Sequence, residues 1–77
     1  SGVPKDVAMG LPILTITGTN DLCVENYRGM TEYTDQIIRL QSKSGQIKIT
    51  GKKLEVIYYT NDEMKIHGQI RTIEYQL

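Results

Sequence analysis

Short runs of alternating hydrophobic and polar residues follow one another along the chain, and most are closed by a glycine or an Asn-Asp type turn. A spacing of about ten residues between turn signals is typical of all-β domains. Leu11-Pro12 ends any helix, so the preceding residues 3–9 are expected to form one helical turn or an extended arm. The pattern predicts strands at 13–17, 22–27, 30–34, 37–42, 46–50, 54–60, 64–67 and 69–77.

Alternation along each strand separates a core face from an outer face. The predicted core is Leu22, Val24, Ile47, Ile49, Leu54, Val56, Ile66 and Ile70. Ile70 and Ile73 are three residues apart, so a β-bulge near Arg71-Thr72 is needed to turn both inward. A second apolar set, Ile37, Ile57 and Tyr59, falls on nominally polar faces. It is interpreted either as a second core layer of a rolled sheet or as an interface patch.

Composition favours the same fold class. Of the 77 residues, 22 are Ile, Val or Thr, only one is Ala, and none is Trp or Phe. β-Branched side chains fit a pleated sheet, whereas Ala is the best helix former. We therefore expect a single all-β domain over residues 3–77, with six to eight short, hairpin-linked antiparallel strands in a rolled sheet or a small barrel or sandwich. Ser1-Gly2, without an initiator Met, is interpreted as a cloning remnant outside the fold.

Charge and chemistry exclude several function classes. Nine basic residues balance nine acidic ones, which argues against a dedicated nucleic-acid binder. No apolar run reaches the ~18 residues of a membrane span, and no signal-peptide pattern opens the chain, so direct membrane insertion is not expected. The single cysteine excludes an internal disulfide and a multi-cysteine metal site.

The residues that could carry catalysis are isolated in the sequence. His67 has no neighbouring ligand and is predicted to be a surface residue, and Cys23 is predicted to be a small, half-buried or buried residue. The stretch from Gly45 to Lys53 lacks the spacing and the hydroxyl of a phosphate-binding loop. We therefore expect no catalytic residues, no metal and no cofactor, and we do not expect an enzyme. A small hydrolase ranks last because no nucleophile–base pair is visible.

One alternative is a small oligonucleotide-binding β-barrel. The second half of the chain is mildly basic through Lys48, Lys52, Lys53, Lys65 and Arg71, and it also carries Tyr58 and Tyr59. Such barrels stack aromatic rings on bases while lysines follow the phosphates. The surplus of basic over acidic residues there is small, so a solvated face with edge lysines is the competing interpretation.

Self-association is expected from size. A domain of about 77 residues without a disulfide or metal has a thin stability margin, and hairpin sheets leave edges that can pair. We therefore expect a homodimer, formed through the strand at 54–60 or through the C-terminal strand. The candidate self-association patch is Ile37, Ile57, Tyr59, Ile73 and Tyr75.

Several motifs in order resemble the YabP/YqfC sporulation family, closer to its YqfC branch. They are Pro4-Lys5-Asp6-Val7 before Leu11-Pro12, the Val-Glu-Asn-x-x-Gly-Met segment from Val24 to Met30, the glycine-bounded pattern from Gly45 to Leu54, and Ile66 to Ile70. Ile13 departs from the family, which usually has a basic residue after Leu-Pro. The resemblance covers nearly the whole chain.

The resemblance implies a non-enzymatic cytosolic protein of the mother cell during endospore formation, with a membrane protein like YqfD as its partner. Such a partner would place the protein at the forespore membrane peripherally. Glu25, Asn26, Arg28 and Gly29 match the family's most distinctive segment. These residues are interpreted either as turn chemistry or as a contact with the partner.

Overall fold

The computed structural model describes residues 10–77, and these form one open antiparallel sheet. Its strands are β1 (Ile13–Thr17), β2 (Asp21–Glu25), β3 (Tyr27–Tyr33), β4 (Ile37–Ser42), β5 (Gly45–Tyr59) and β6 (Glu63–Gln76). Their order across the sheet is β1-β2-β6-β5-β4-β3. The all-β class and the number of strands confirm the prediction. The expectations for residues 3–9 lie outside the described part of the chain.

The two long strands, β5 and β6, divide the sheet into two leaves. In the first leaf, β1 and β2 extend the hairpin made by residues 55–59 and 63–67. In the second leaf, β3 and β4 extend the pair made by residues 45–50 and 72–76. Side chains from both leaves form one buried cluster, so the sheet folds over on itself and encloses its core.

Gly51 and Gly68 form the bend between the two leaves. A side chain at Gly51 would overlap the carbonyl oxygen of Gln69, and a Cβ at Gly68 would lie 2.6 Å from that of Lys53. Gly68 also has a φ of 147°, which other residues rarely adopt. These glycines were predicted to end strands at 46–50 and 64–67. That prediction was wrong, because each glycine lets one long strand bend and continue, with register shifts on either side.

The backbone carbonyls of two turns accept hydrogen bonds from residues at this bend, one turn on each side. The carbonyls of the β3–β4 turn accept from Gly51 N and Leu54 N at 2.9 and 2.8 Å. The carbonyls of the β1–β2 turn accept from Gly68 N and Ile70 N, both at 3.0 Å. Amides that the bend removes from regular pairing are thereby satisfied.

The core agrees with the predicted faces for the most part. Six of the predicted residues are buried: Leu22, Val24, Ile47, Ile49, Leu54 and Ile66. Val56 and Ile70 are instead half-buried, packing against the cluster near its rim. Tyr27, Ile38, Leu40 and Met64 complete the buried set. The predicted bulge exists: the register passes from Thr72 to Ile70 and omits Arg71, so that Ile70 and Ile73 both pack against the core.

Candidate interaction surfaces

Asn26 shapes the junction between β2 and β3. Its φ is 65°, a left-handed conformation that Asn tolerates better than most residues. Its side-chain amide donates to the carbonyl of Leu11 at 3.0 Å, and its backbone N–H donates to the carbonyl of Asp62 at 2.7 Å. One residue thus ties the chain before β1 and the β5–β6 hairpin to the same corner.

Tyr27 anchors the same corner from inside. Only 4% of its surface is exposed, and its hydroxyl donates to the carbonyl of Thr60 in the β5–β6 hairpin. Its ring packs against Tyr59 with the centroids 5.7 Å apart. Burial raises the pKa of the Tyr27 hydroxyl, so the group remains a neutral donor. The sequence interpretation missed this anchor because it assigned Tyr27 to a strand end beside a turn.

The other members of the Glu25–Gly29 segment are placed differently. Within residues 10–77 the side chains of Glu25 and Arg28 make no hydrogen bond, and Arg28 is exposed. A Cβ added to Gly29 would meet nothing within 4 Å, and its φ is not in the left-handed region. Asn26 therefore holds the turn, whereas Arg28 is exposed and a side chain at Gly29 would contact no described residue.

Four large exposed hydrophobic side chains lie on or beside the second half of β5. The described exposed set is Ile16, Tyr33, Ile57, Tyr58, Tyr59, Tyr75 and Leu77. Three of these are consecutive in β5, and the hydroxyl of Tyr33 reaches the same strand by accepting from Val56 N at 2.9 Å. We call Tyr33, Ile57, Tyr58 and Tyr59 the tyrosine end. The nearby Asn26 corner borders it through the contact between Tyr27 and Tyr59.

The second apolar surface lies along the last part of β6. Residues 72–76 pair with β5 on one side, whereas β2 pairs with β6 only through residues 63–67. Within the described chain, the other side of 72–76 has no strand beside it. Tyr75 is 57% exposed and Leu77 is 96% exposed. We call residues 72–77 the β6 edge.

The predicted self-association patch is divided among these places. Ile57 and Tyr59 lie in the tyrosine end, whereas Ile73 and Tyr75 lie on the β6 edge. Ile37 pairs with Thr50 on the outer face of the second leaf, opposite to the core side occupied by Ile73. The structure therefore offers two separate surfaces on different leaves rather than one patch.

A polar cluster covers the outer face of the first leaf. The Cys23 thiol donates to Glu63 Oε2 at 3.3 Å, and the Tyr58 hydroxyl donates to the same oxygen at 3.0 Å. Beside them is an open cavity of about 230 Å³, to which Thr15, Thr17 and Lys65 also contribute. Sequence separation hid this cluster, since its members come from three strands.

Protonation in this cluster is unsuited to nucleophilic chemistry. Burial, and then the hydrogen bond to Glu63, raises the pKa of the Cys23 thiol. The hydrogen bond to Glu63 raises the pKa of Tyr58 to about 12. Both groups therefore stay protonated at neutral pH, whereas a nucleophilic cysteine needs a lowered pKa.

His67 is exposed, as predicted, and pairs with Asp21. The imidazole Nδ1 lies 2.9 Å from Asp21 Oδ1. This hydrogen bond lowers the pKa of the Asp21 carboxyl. His67 lies opposite Asp21 on the neighbouring strand, and Cys23 is two residues farther along β2, so His67 and Cys23 do not form a nucleophile–base pair.

The basic residues of the second half are distributed over different parts of the sheet. Lys65 lies between Cys23 and Tyr58 on the first leaf, whereas Lys48 faces Glu74 on the second. Among residues 10–77 no group of three or more His, Cys, Asp or Glu side chains is placed to hold a metal ion. The same residues contain no helix long and apolar enough to cross a membrane.

Comparisons with known proteins identify the family. Residues 11–77 match the model of the YabP family. The chain is similar to the uncharacterized protein YqfC of Bacillus subtilis (strain 168), with 33% identity over 73 residues, which cover 95% of this chain and 78% of that protein. No solved structure matches. A family match over nearly all of the described residues, together with this relative, shows that the chain belongs to the YabP family.

Proposed function

We propose that this chain is a non-enzymatic sporulation protein that acts in the mother cell through protein–protein contacts. It associates with a second copy of itself and with a membrane-bound partner resembling YqfD, which holds it in the cytoplasm at the forespore membrane. The proposal combines the family membership with the character of the exposed surface.

The observation that carries the proposal is the presence of two separate apolar surfaces on a domain of 77 residues. The tyrosine end lies along the second half of β5, with Tyr33 reaching it from β3, and the β6 edge lies on the second leaf. Contiguous exposed apolar residues on a small domain mark interaction sites. Because the surfaces are separate, binding at one leaves the other free for a different contact.

The tyrosine end is the surface proposed for the membrane-bound partner. Tyrosine and arginine are enriched in the energetically important parts of protein interfaces. Here Tyr59 is 52% exposed and is supported from behind by the buried Tyr27 ring. The residue that follows the buried Tyr27 is Arg28, which is exposed. A rigid support under exposed rings reduces the entropy lost on binding.

Co-purification with the YqfD-like membrane protein tests this surface. We expect Tyr59→Asp and Arg28→Ala to lose capture by the detergent-solubilised partner and to reduce sporulation. The matched control is Glu55→Gln, an exposed substitution in the same strand, β5, which is expected to leave capture unchanged. Thermal unfolding of all three variants verifies folding. Folded Tyr59→Asp and Arg28→Ala proteins that are captured as well as the parent would overturn the proposal for this surface.

A further inference from the structure

We propose that the β6 edge pairs with the β6 edge of a second copy, antiparallel and around a two-fold axis that passes through Ile73 perpendicular to the sheet. This inference rests on the proposed self-association and specifies its surface and register. The two sheets would become one continuous sheet across the pair of molecules.

The first step is that this edge is left open whereas the sheet continues on its other side. A carbonyl of the β1–β2 turn accepts a hydrogen bond from Ile70 N. Farther along β6, the backbone of residues 72–76 pairs only with β5 within the described chain. An open strand edge presents N–H and C=O groups that pair readily with another strand. Addition of a strand to such an edge is a common mode of association.

The second step is the choice of register. A two-fold axis perpendicular to the sheet places the apolar faces of both copies on the same side of the joined sheet. This requires that two directly opposite residues differ by an even number of positions in the sequence. Centring on Glu74 places two carboxylates directly opposite each other, which is destabilising. Centring on Thr72 places the bulged Arg71 opposite Ile73, where the bulge interrupts regular pairing. Centring on Ile73 pairs isoleucine with isoleucine and Thr72 with Glu74, and it keeps the bulged Arg71 outside these pairs.

The third step is the continuity of the rows that this register creates. On the core side, Ile49 faces Ile73 within one copy. The row of side chains across the dimer would therefore be Ile49 and Ile73 of one copy, followed by Ile73 and Ile49 of the second copy. On the outer side, Lys48 faces Glu74 and Thr50 faces Thr72. That row would continue from Lys48 and Glu74 to Thr72 and Thr50 of the second copy, without a like-charge pair.

The occupant is a second copy because the edge is complementary to itself. Residues 72–76 carry one charge, Glu74, and the preceding Arg71 carries the opposite one. The two-fold arrangement directs Glu74 to Thr72, an uncharged residue, and leaves Arg71 in the bulge beside the paired residues. It would also cover the exposed Tyr75 side chain, 57% of which is accessible in the single chain. Isologous pairs are the commonest closed assemblies.

Disulfide trapping tests the register. In a Cys23→Ser background, Thr72→Cys and Glu74→Cys are placed separately on exposed positions. Each variant alone should remain unlinked on mild oxidation, whereas their mixture should form a disulfide-linked dimer, because directly opposite residues meet the geometry of a disulfide. Ile73→Cys alone should link to itself. Glu55→Cys, on a different edge, is the control and should stay unlinked alone and in mixtures.

Four results would overturn the proposal. Self-linking of Glu74→Cys or of Thr72→Cys would show a different register. A dimer in sedimentation that none of these pairs traps would show that another surface is used, while the proposed self-association would stand. A monomer at all micromolar concentrations, with or without the membrane partner, would contradict both the register and the self-association. Trapping of the β6-edge cysteines by the partner rather than by a second copy would assign the edge to that partner.

Discussion

The second halves of β5 and β6 both lie at an edge of the sheet, but their outward backbone groups differ in hydrogen bonding. On β5, Leu54 N donates to the carbonyl of Asp35 at 2.8 Å and Val56 N donates to the hydroxyl of Tyr33 at 2.9 Å. On β6, residues 72–76 have no strand on their outer side within the described chain. Unpaired edges favour association with other chains. The molecule therefore closes one edge with its own groups, whereas the other has no strand beside it within the described residues.

The bend explains why the two edges differ. When β5 turns at Gly51, its second half moves away from β4 but stays beside the β3–β4 turn, which supplies the caps. When β6 turns at Gly68, its second half leaves β2, and the β1–β2 turn reaches no farther than Ile70. One bend thus creates both edges, and the Tyr33 side chain, whose hydroxyl accepts from Val56 N, extends the closure of the β5 edge.

Removing the bend has the largest expected effect. In Gly51→Ala the new methyl group meets the carbonyl of Gln69 and the side chain of Leu54, both inside the fold. We expect Gly51→Ala to lower the free energy of unfolding by about 3 kcal/mol or more, since overpacking against backbone cannot relax by a rotamer change. Chemical denaturation monitored by far-UV circular dichroism measures the loss.

Two other glycines serve as controls for this substitution. Gly18 has a φ of 60° but nothing within 4 Å of a Cβ, so Gly18→Ala should cost about 1–2 kcal/mol from the left-handed conformation alone. Gly29 has neither feature, so Gly29→Ala should change stability by no more than about 0.5 kcal/mol. Equal losses in the three variants would contradict the proposed role of the bend. A stable Gly29→Ala protein that fails in sporulation would assign Gly29 to a partner contact.

The Asn26 corner, which joins the chain before β1 to the β5–β6 hairpin, should be the next most sensitive. Asn26→Ala removes the hydrogen bond to Leu11 and places a less tolerant residue at a φ of 65°. We expect a loss of about 1–3 kcal/mol from these two causes together. Asn26→Gly keeps the conformation and loses only the side-chain bond, so it should retain more stability. Similar melting temperatures for the parent and both variants would refute this role of Asn26.

The difference between Asn26 and Gly51 also shows what the sequence could predict. Asparagine in a turn-like segment indicates an unusual φ from local chemistry, and alternation predicted the core faces of Leu22, Val24, Ile47 and Ile49. Gly51 followed by two lysines is typical of a turn as well as of a bent strand. Only the position of Gln69 on a strand distant in sequence decides between them.

Surface features were harder to predict for the same reason. Tyr27 is buried because the β5–β6 hairpin folds over it, and the Cys23, Tyr58 and Glu63 cluster draws on three strands. Neither arrangement leaves a local pattern in the chain. The separation of Tyr59 from Tyr75 likewise depends on the bend, which the alternation of hydrophobic residues does not encode.

Opening the closed edge should have a moderate effect. Tyr33→Phe removes the acceptor for Val56 N, which is expected to cost about 0.5–1.5 kcal/mol and to speed hydrogen exchange at that amide. Tyr75→Phe is the matched control on the open edge, where the hydroxyl makes no hydrogen bond within the described residues. It should leave both the stability and the Val56 exchange rate unchanged. Slow exchange at Val56 in Tyr33→Phe would mean that this edge is protected in another way.

The smallest expected effect concerns the junction at which the paired part of β6 gives way to the open edge. Asp21 and His67 meet there across β2 and β6, and the hydrogen bond from His67 lowers the pKa of Asp21 below its ordinary value of 3.8. Because the folded-state pKa is the lower one, the stabilisation is present above pH 3.8 and disappears as pH falls through the folded-state pKa. The free energy of unfolding of Asp21→Asn should therefore decrease less steeply than that of the parent as the pH is lowered. At neutral pH its stability should change little, since exposed ion pairs contribute little. His67→Gln should behave similarly, and cells carrying it should sporulate normally.

The backbone hydrogen bonds from Gly68 N and Ile70 N to the β1–β2 turn remain in both variants, so hydrogen exchange at these amides should not change. Faster exchange at Ile70 in either variant would show that the side-chain pair, rather than the backbone of the turn, determines where the open edge begins.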